Sequence, residues 1–362
     1  MKPLFNYQNL LFFIPLIIIS SISLIDMYYI KELSDLYQYH LIKEIMWLII
    51  GFSLIFIINK IKLKYILKIS PYLYYFSLLL LILVLFIGNN TNGSSAWFKI
   101  GIFKIQPSEI MKLSLLLYLN YINNKSTLLY LLRLIILTIV PSILVFLEPD
   151  TGAVIIYFLI LLSIIFTKKI KASIKGTILI LLLIGISLSI FLIIYHPNYL
   201  IKFLGNSFTY RINRIINLKN GYQIDNALTS IGASKPFNII ITNPMLYIPE
   251  APTDFIFAFT VGNLGYVTGF IIIINYYLIV MFLINKKHLI KASLLTIFLF
   301  QVIYNLGFNL GILPIMGIPL PFLSYGGSNI IIYFIMFAIL FSKDDSNNYS
   351  RKNNRDYKGH KA

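Results

Sequence analysis

The sequence predicts an all-α polytopic membrane protein of about ten transmembrane helices, with both termini cytoplasmic and one long extracytoplasmic loop. Three observations lead there. The 362 residues are 58% hydrophobic and only 12% charged, whereas a soluble domain carries about 25% charged residues. Apolar runs recur at lengths near the roughly 20 residues that a spanning helix needs. Lysine and arginine are shared unevenly between the loops that those runs define.

The apolar runs lie near 9–30, 42–59, 69–88, 108–122, 127–147, 151–167, 174–195, 256–285, 289–312 and 326–342. The first follows Lys2. It is too long for a secretory leader and no small-x-small cleavage site follows, so it reads as a helix. With the N-terminus inside, cytoplasmic segments hold twenty lysines and arginines, among them Lys60, Lys62, Lys64, Lys68, Lys168, Lys169, Lys171 and Lys175. The outer loops hold nine. Acids lean the other way, with Glu148, Asp150, Glu250 and Asp254 outside. Residues 1–342 therefore read as one transmembrane domain, and 343–362 as a basic, disordered tail close to anionic lipid. The only long loop, about 196–254, is extracytoplasmic, and loops of that length are functional or disordered. No internal repeat is visible, which weakens a transporter built from inverted halves.

Composition also excludes chemistry. Cysteine is absent, so there are no disulfides or thiolate metal sites. The four histidines lack metal-binding spacing, and no metal ligands are assigned. The net charge of +17 sits in loops and tail, where it addresses a membrane surface and not nucleic acid. No phosphate-binding loop, dinucleotide fingerprint, nucleophile elbow or nucleic-acid module is present.

Ionisable groups at the membrane boundary are costly and invite a functional reading. One cluster runs from Gly93 through Trp97 to Gln106, Pro107, Ser108, Glu109 and Lys112. Pro107 and Ser108 read as a helix start with Ser108 as the cap. Glu109 and Lys112 share one helix face, either as a structural ion pair or beside substrate phosphates. A second cluster is Glu148, Pro149, Asp150, Thr151 and Gly152, where proline breaks a helix and Asp150 or Thr151 caps the next. The third runs from Ile248 to Phe257 and includes Glu250, Thr253 and Asp254. Asp254 reads either as a helix cap or as a general base whose pKa burial would raise. In the long loop, Arg211 and Arg214 present guanidinium groups that suit bidentate phosphate recognition, or else a solvated face. Pro314 to Ser328 is a helix-breaking stretch at membrane depth, expected to line a cavity.

At these clusters the sequence resembles the SEDS family (shape, elongation, division and sporulation), which includes RodA, FtsW and SpoVE. The matching segments are Trp97 with Gln106-Pro-Ser-Glu109 and Lys112; Pro149-Asp150-x-Gly152; Pro249 to Phe257; and Asn305 through Pro319 to Ser328. The short N-terminus and small size are more like the RodA branch. The chain departs from the family pattern at Ala96, Asn226-Ala227, Lys235-Pro236, Pro252 and Val261-Gly262-Asn263.

The resemblance implies a peptidoglycan glycosyltransferase that polymerises lipid II on the outer face of the cytoplasmic membrane during cell-wall elongation. It implies Asp254 as the catalytic residue, and a class B penicillin-binding protein, the transpeptidase of the elongation machinery, as partner. Substrate contacts are then expected from Trp97, Glu109, Lys112, Arg211, Arg214, Glu250, Thr253, Ser324 and Ser328. Lys112, Arg211 and Arg214 are the candidates to stabilise the departing pyrophosphate. A divalent cation, Mg or Mn, could assist, although the sequence shows no dedicated cage. A lipid II transporter and an inactive scaffold for a transpeptidase are the competing expectations.

Overall fold

The computed structural model describes residues 7–32, 35–91, 94–101, 103–122, 127–168, 170–195, 222–238 and 248–342. Arg211 and Arg214, most of the loop at 196–254 and the tail at 343–362 lie outside the described residues.

Each apolar run meets a helix. These are α1 (Tyr7–Ile30), α2 (His40–Ile58), α3 (Leu63–Ile87), α4 (Pro107–Tyr121), α5 (Thr127–Leu147), α6 (Thr151–Thr167) and α7 (Ala172–Tyr195). After the long loop come α8 (Tyr222–Gly232), α9 (Ile256–Leu264), α10 (Tyr266–Asn285), α11 (Lys291–Asn309) and α12 (Gly327–Leu340). Among the described residues, six helices are long and apolar enough to cross a membrane, and three shorter apolar helices accompany them. The fold is a polytopic helical membrane bundle.

Three details refine this reading. The run at 256–285 is two helices. Gly265 breaks it with φ +95°, and a Cβ there would stand 2.5 Å from the Pro236 carbonyl oxygen, so the loop after α8 crosses at the break. Part of the long loop is helical, since α8 buries Ile224, Asn226 and Ala227. The chain is also not wholly helical. Strands β1 (Asn89–Thr91), β2 (Ser94–Ile100) and β3 (Phe103–Ile105) form a small antiparallel sheet between α3 and α4.

The helices pack as lipid-immersed helices should. On α3 the buried positions are Leu63, Leu67, Ser70, Tyr74, Ser77, Leu81 and Val84. They alternate by four and three, the spacing of a coiled-coil seam. Tyr72, Tyr75, Phe76, Leu79 and Phe86 face outward from the same helix. Small and hydroxylated residues let backbones approach and bond across helices. Ser77 and Ser114 hydroxyls lie 2.8 Å apart between α3 and α4. Ser163 and Ser293 do the same between α6 and α11. Gly51 lets α2 lie directly on the Phe334 ring of α12.

Two ends of the bundle differ in chemistry. One carries lysines 60, 62, 64 and 68 at the α2–α3 turn, and lysines 286, 287 and 291 at the α10–α11 turn. There Lys286 donates to Asn9 at the start of α1, at 3.2 Å. Phe12, Phe282, Phe337 and Phe341 stack nearby. The other end gathers the starts of α4, α6, α9 and α12 and the ends of α1 and α11. The three polar clusters read from the sequence all lie there.

Candidate functional site

The first turn of α9 follows a rigid, irregular segment from Ile248 to Phe255. Its carbonyls and hydroxyls are tied down locally. Thr253 Oγ1 donates to Glu250 Oε2 at 3.0 Å, while Glu250 adopts a left-handed φ of +57°. Non-glycine residues held in that region cost about 1–3 kcal/mol and cluster at functional sites. The residue at the cap position of α9 is Phe255, with no side-chain cap. The helix-cap reading of Asp254 is therefore set aside, because Asp254 does not occupy that position. Asp254 is half-buried.

Two asparagines on α11 fix the backbone of Asp254. Asn305 Nδ2 donates to the Asp254 carbonyl at 3.0 Å and to the Ile318 carbonyl at 2.8 Å. Asn309 Nδ2 reaches the Asp254 carbonyl at 3.1 Å, and Asn309 Oδ1 accepts from Ala258 N at 3.1 Å. Both asparagines are fully buried, so these bonds form where water does not compete.

The proline-rich stretch from Pro314 to Ser328 closes over the same segment. Ser324 is buried, and its hydroxyl donates to the Thr253 carbonyl at 2.6 Å while accepting from Leu320 N at 2.9 Å. Tyr325 N donates to the Pro252 carbonyl at 2.8 Å. Gly317 has φ +64°, and a Cβ on it would stand 3.7 Å from Asp254 Oδ2. A bare backbone thus passes beside the carboxylate. A Cβ on Gly152, at the start of α6, would meet Ile318 Cγ1 at 2.9 Å and the Met316 carbonyl at 3.1 Å. Residues 316–318 are thus wedged between Asp254 and the second cluster.

That second cluster behaves as read. Asp150 caps α6, accepting from Ala153 N at 3.0 Å. It also accepts from Gln106 Nε2 at 2.9 Å and from the Ser108 hydroxyl at 3.2 Å. Burial pushes its carboxyl up from the ordinary value, opposed by the Ala153 bond. Ser108 itself is not a cap. Gln106 holds that position with no side-chain cap, and Pro107 opens α4, where its missing N–H costs nothing. Ser108 is turned instead toward Asp150.

Glu109 and Lys112 form the predicted pair, with Nζ 2.5 Å from Oε2. Lys112 is 1% exposed. It also donates to Asn329 Oδ1 at 3.3 Å and lies 4.7 Å over the Tyr333 ring. The pair thus fastens α4 to α12 inside the bundle. Ser328 accepts from Gln106 N and donates to the Lys104 carbonyl, both at 3.2 Å, which ties the start of α12 to β3. Trp97 is half-buried on β2, paired with Asn89. Among the described residues, no three of His, Asp and Glu converge as a metal site.

The site therefore joins Asp254, Glu250, Thr253, Ser324, Gly317 and, across the wedge, Asp150. Lys112 is buried, and its charge and that of Glu109 act on Asp150. Asn309, Ser23, Asp26 and Glu44 were not singled out from sequence. A polar residue inside an apolar run was the available signal.

Comparisons with known proteins agree with this architecture. The family described as FtsW, RodA and SpoVE cell cycle proteins matches residues 2–349. A probable peptidoglycan glycosyltransferase FtsW of Wigglesworthia glossinidia brevipalpis is 33% identical, with 94% of each chain covered. A protein of the same description from Buchnera aphidicola subsp. Schizaphis graminum is 32% identical, over 83% of this chain and 89% of that one. Among solved structures, a peptidoglycan synthase complex described as coordinating polymerization and crosslinking contains a chain that superposes with TM-score 0.72 at 22% identity, covering 90% of this chain and 95% of that one. The rod shape-determining protein RodA of Thermus thermophilus superposes with TM-score 0.65 at 22% identity, covering 94% and 97%. With nearly its whole length matched, the chain belongs to the FtsW/RodA/SpoVE family, the SEDS proteins.

Proposed function

We propose that this protein is a peptidoglycan glycosyltransferase that polymerises lipid II, with Asp254 as its general base. The observation that carries the reading is the immobilised Asp254. Its carbonyl is held by Asn305 and Asn309, its neighbours by Ser324 and Tyr325, and its carboxylate faces bare backbone at Gly317. A base so fixed keeps its geometry through the proton transfer.

In the proposed step, the acceptor sugar hydroxyl gives its proton to an Asp254 carboxylate oxygen. The freed oxygen forms the glycosidic bond to the donor anomeric carbon. The bond from that carbon to the undecaprenyl pyrophosphate breaks, and the pyrophosphate takes the electron pair. Cations must meet the developing charge. Arg211 and Arg214 are proposed for that role, since a guanidinium binds phosphate through two parallel bonds. Glu109 and Lys112 are proposed to lie beside the substrate phosphates, or else to act only by holding α4 against α12. Trp97, Glu250, Thr253, Ser324 and Ser328 remain proposed for substrate positioning around Asp254.

The site lies at the end of the bundle opposite the lysine-rich turns. By the excess of positive charge on cytoplasmic loops, the site end is proposed to face outward from the cytoplasmic membrane. There lipid II could enter between helices with its tail in lipid. A class B penicillin-binding protein is the proposed partner. The elongation machinery is the proposed setting. The names of the curated relatives favour the division machinery, which is the second reading.

The test is polymerisation of labelled lipid II by purified wild type and Asp254→Asn, each with a class B penicillin-binding protein supplied. Polymer from wild type alone is expected. Polymer from both would remove Asp254 as the base. Lipid II transfer across vesicles without polymer would establish a transporter. Neither activity, with the partner still bound, would establish a scaffold.

A further inference from the structure

Helix α1 carries Ser23 and Asp26, three residues apart and hence on one face. Both are fully buried, as is Glu44 on α2. Each of the two acids meets a hydroxyl that already has a carbonyl partner. The Ser23 hydroxyl lies 2.9 Å from the Leu323 carbonyl and 3.2 Å from Glu44 Oε1. The Thr260 hydroxyl lies 2.7 Å from the Ile256 carbonyl and 2.6 Å from Asp26 Oδ2.

A hydroxyl has one proton to donate and a carbonyl has none. With two acceptors around each hydroxyl, one contact would go unmade. The donor count closes when each acid, as COOH, supplies the second proton to the hydroxyl oxygen. The surroundings agree. The ion pairs of Lys31 with Glu32 and of Lys112 with Glu109 do not involve Asp26 or Glu44. Asp26 Oδ1 and Glu44 Oε2 have no hydrogen-bond partner among the described residues, and a buried charge left in that state is costly.

The two acid–hydroxyl pairs grip different segments. Leu323 precedes Ser324, whose hydroxyl holds the Thr253 carbonyl. Ile256 and Thr260 form the first turn of α9, which starts just after Asp254 and Phe255. One helix therefore clamps both structures that meet at Asp254.

We propose that Asp26 and Glu44 are positioning residues that act as hydrogen-bond donors, locking α1 and α2 onto the Ser324 loop and onto α9 so that Asp254 is held in its working place. This rests on Asp254 being the base. The role requires a donor and no charge, which separates it from an ionic one.

The experiment compares Asp26→Asn, Asp26→Leu, Glu44→Gln and Glu44→Leu in the full-length protein. Two readouts are taken: lipid II polymerisation as kcat and KM, and hydrogen–deuterium exchange at residues 252–260 and 320–326. The amide variants keep a donor and are expected within about threefold of wild-type kcat. The Leu variants are expected to lose kcat on the order of tenfold or more, since small misplacements of reacting groups cost that much, with KM nearly unchanged and exchange faster in the touching segment. Should a Leu variant fail to fold, Ser23→Ala and Thr260→Val remove the hydroxyl instead, with the same kcat loss expected. Amide variants as impaired as Leu variants would overturn the donor role. Leu or hydroxyl-deletion variants with wild-type kcat and exchange would overturn the positioning role. If Asp254→Asn itself still polymerises, the catalytic reading fails separately, and the exchange data still decide whether α1 and α2 hold these segments.

Discussion

Asn309 binds the main chain on both sides of the α9 start. Its Nδ2 donates to the Asp254 carbonyl and its Oδ1 accepts from Ala258 N. A single side chain thus fixes where the helix begins and where the aspartate before it stands. Asn309→Leu leaves Ala258 N without that acceptor and removes one of the two donors to Asp254. Each buried group left unpaired costs about 1–3 kcal/mol. The expected result is a folded protein with a lower melting temperature and polymerisation reduced on the order of tenfold or more. Wild-type polymerisation by Asn309→Leu would show that the clamp does not matter to the reaction.

The buried Glu109–Lys112 pair invites a test by double substitution. Lys112→Met alone strands a buried carboxylate, which costs about 3–5 kcal/mol. Glu109→Gln together with Lys112→Met removes both charges and should recover most of that stability. If the pair only fastens α4 to α12, polymerisation returns with stability. If Lys112 also meets substrate phosphates, stability returns and polymerisation does not. Thermal melts and lipid II assays on the three proteins decide it.

Much of the bundle was legible because a lipid solvent demands long apolar runs, and those are visible without any contact map. The break at Gly265 was not. The run stays apolar from Leu264 into Tyr266, and one glycine in such a run is usually tolerated. Only the approach of Pro236 makes it obligatory. The sheet at 89–105 was missed because its strands are short and lie between two strong helices. Ser108 was misread because proline-serine at a helix start fits a cap, whereas the structure turns the hydroxyl to Asp150. The site followed the same division. Asp254, Glu250 and Ser324 stand in breaks between helices, where sequence shows them. Asp26 and Glu44 sit within apolar runs, and their partners lie hundreds of residues away or on another helix. Sequence shows that such acids are costly, but the fold alone selects their hydroxyls.

Helix α2 meets α12 through Gly51, whose added Cβ would overlap the Phe334 ring. Gly51→Ala should cost about 1–3 kcal/mol, the usual range for overpacking a tight interface. Gly51→Leu should cost more and separate the two helices. Because Asn329 and Ser328 start α12, the damage is expected to reach Lys112 and Lys104. A melting temperature unchanged by Gly51→Leu would show that α2 is not packed as described.

Glu148 sits just past the end of α5, fully buried, with no hydrogen-bond partner for either oxygen among the described residues. Burial raises its pKa from 4.5 to about 8, and the nearby Asp150 adds to the shift. The sign follows from proton counts. Below pH about 4.5 both folded and unfolded chains hold the proton. Between 4.5 and about 8 the unfolded chain releases it and the folded chain keeps it. The folded state then binds more protons, so stability falls as pH rises, by up to about 1.4 kcal/mol per pH unit. Above about 8 that contribution is gone. Asp150 shifts in the same direction, so the difference between wild type and a variant isolates Glu148. Glu148→Gln keeps the shape and cannot ionise. It should match wild type near pH 5 and be the more stable protein at pH 9. Parallel melting curves across that range would mean that Glu148 ionises at its ordinary pKa and finds water in the folded protein.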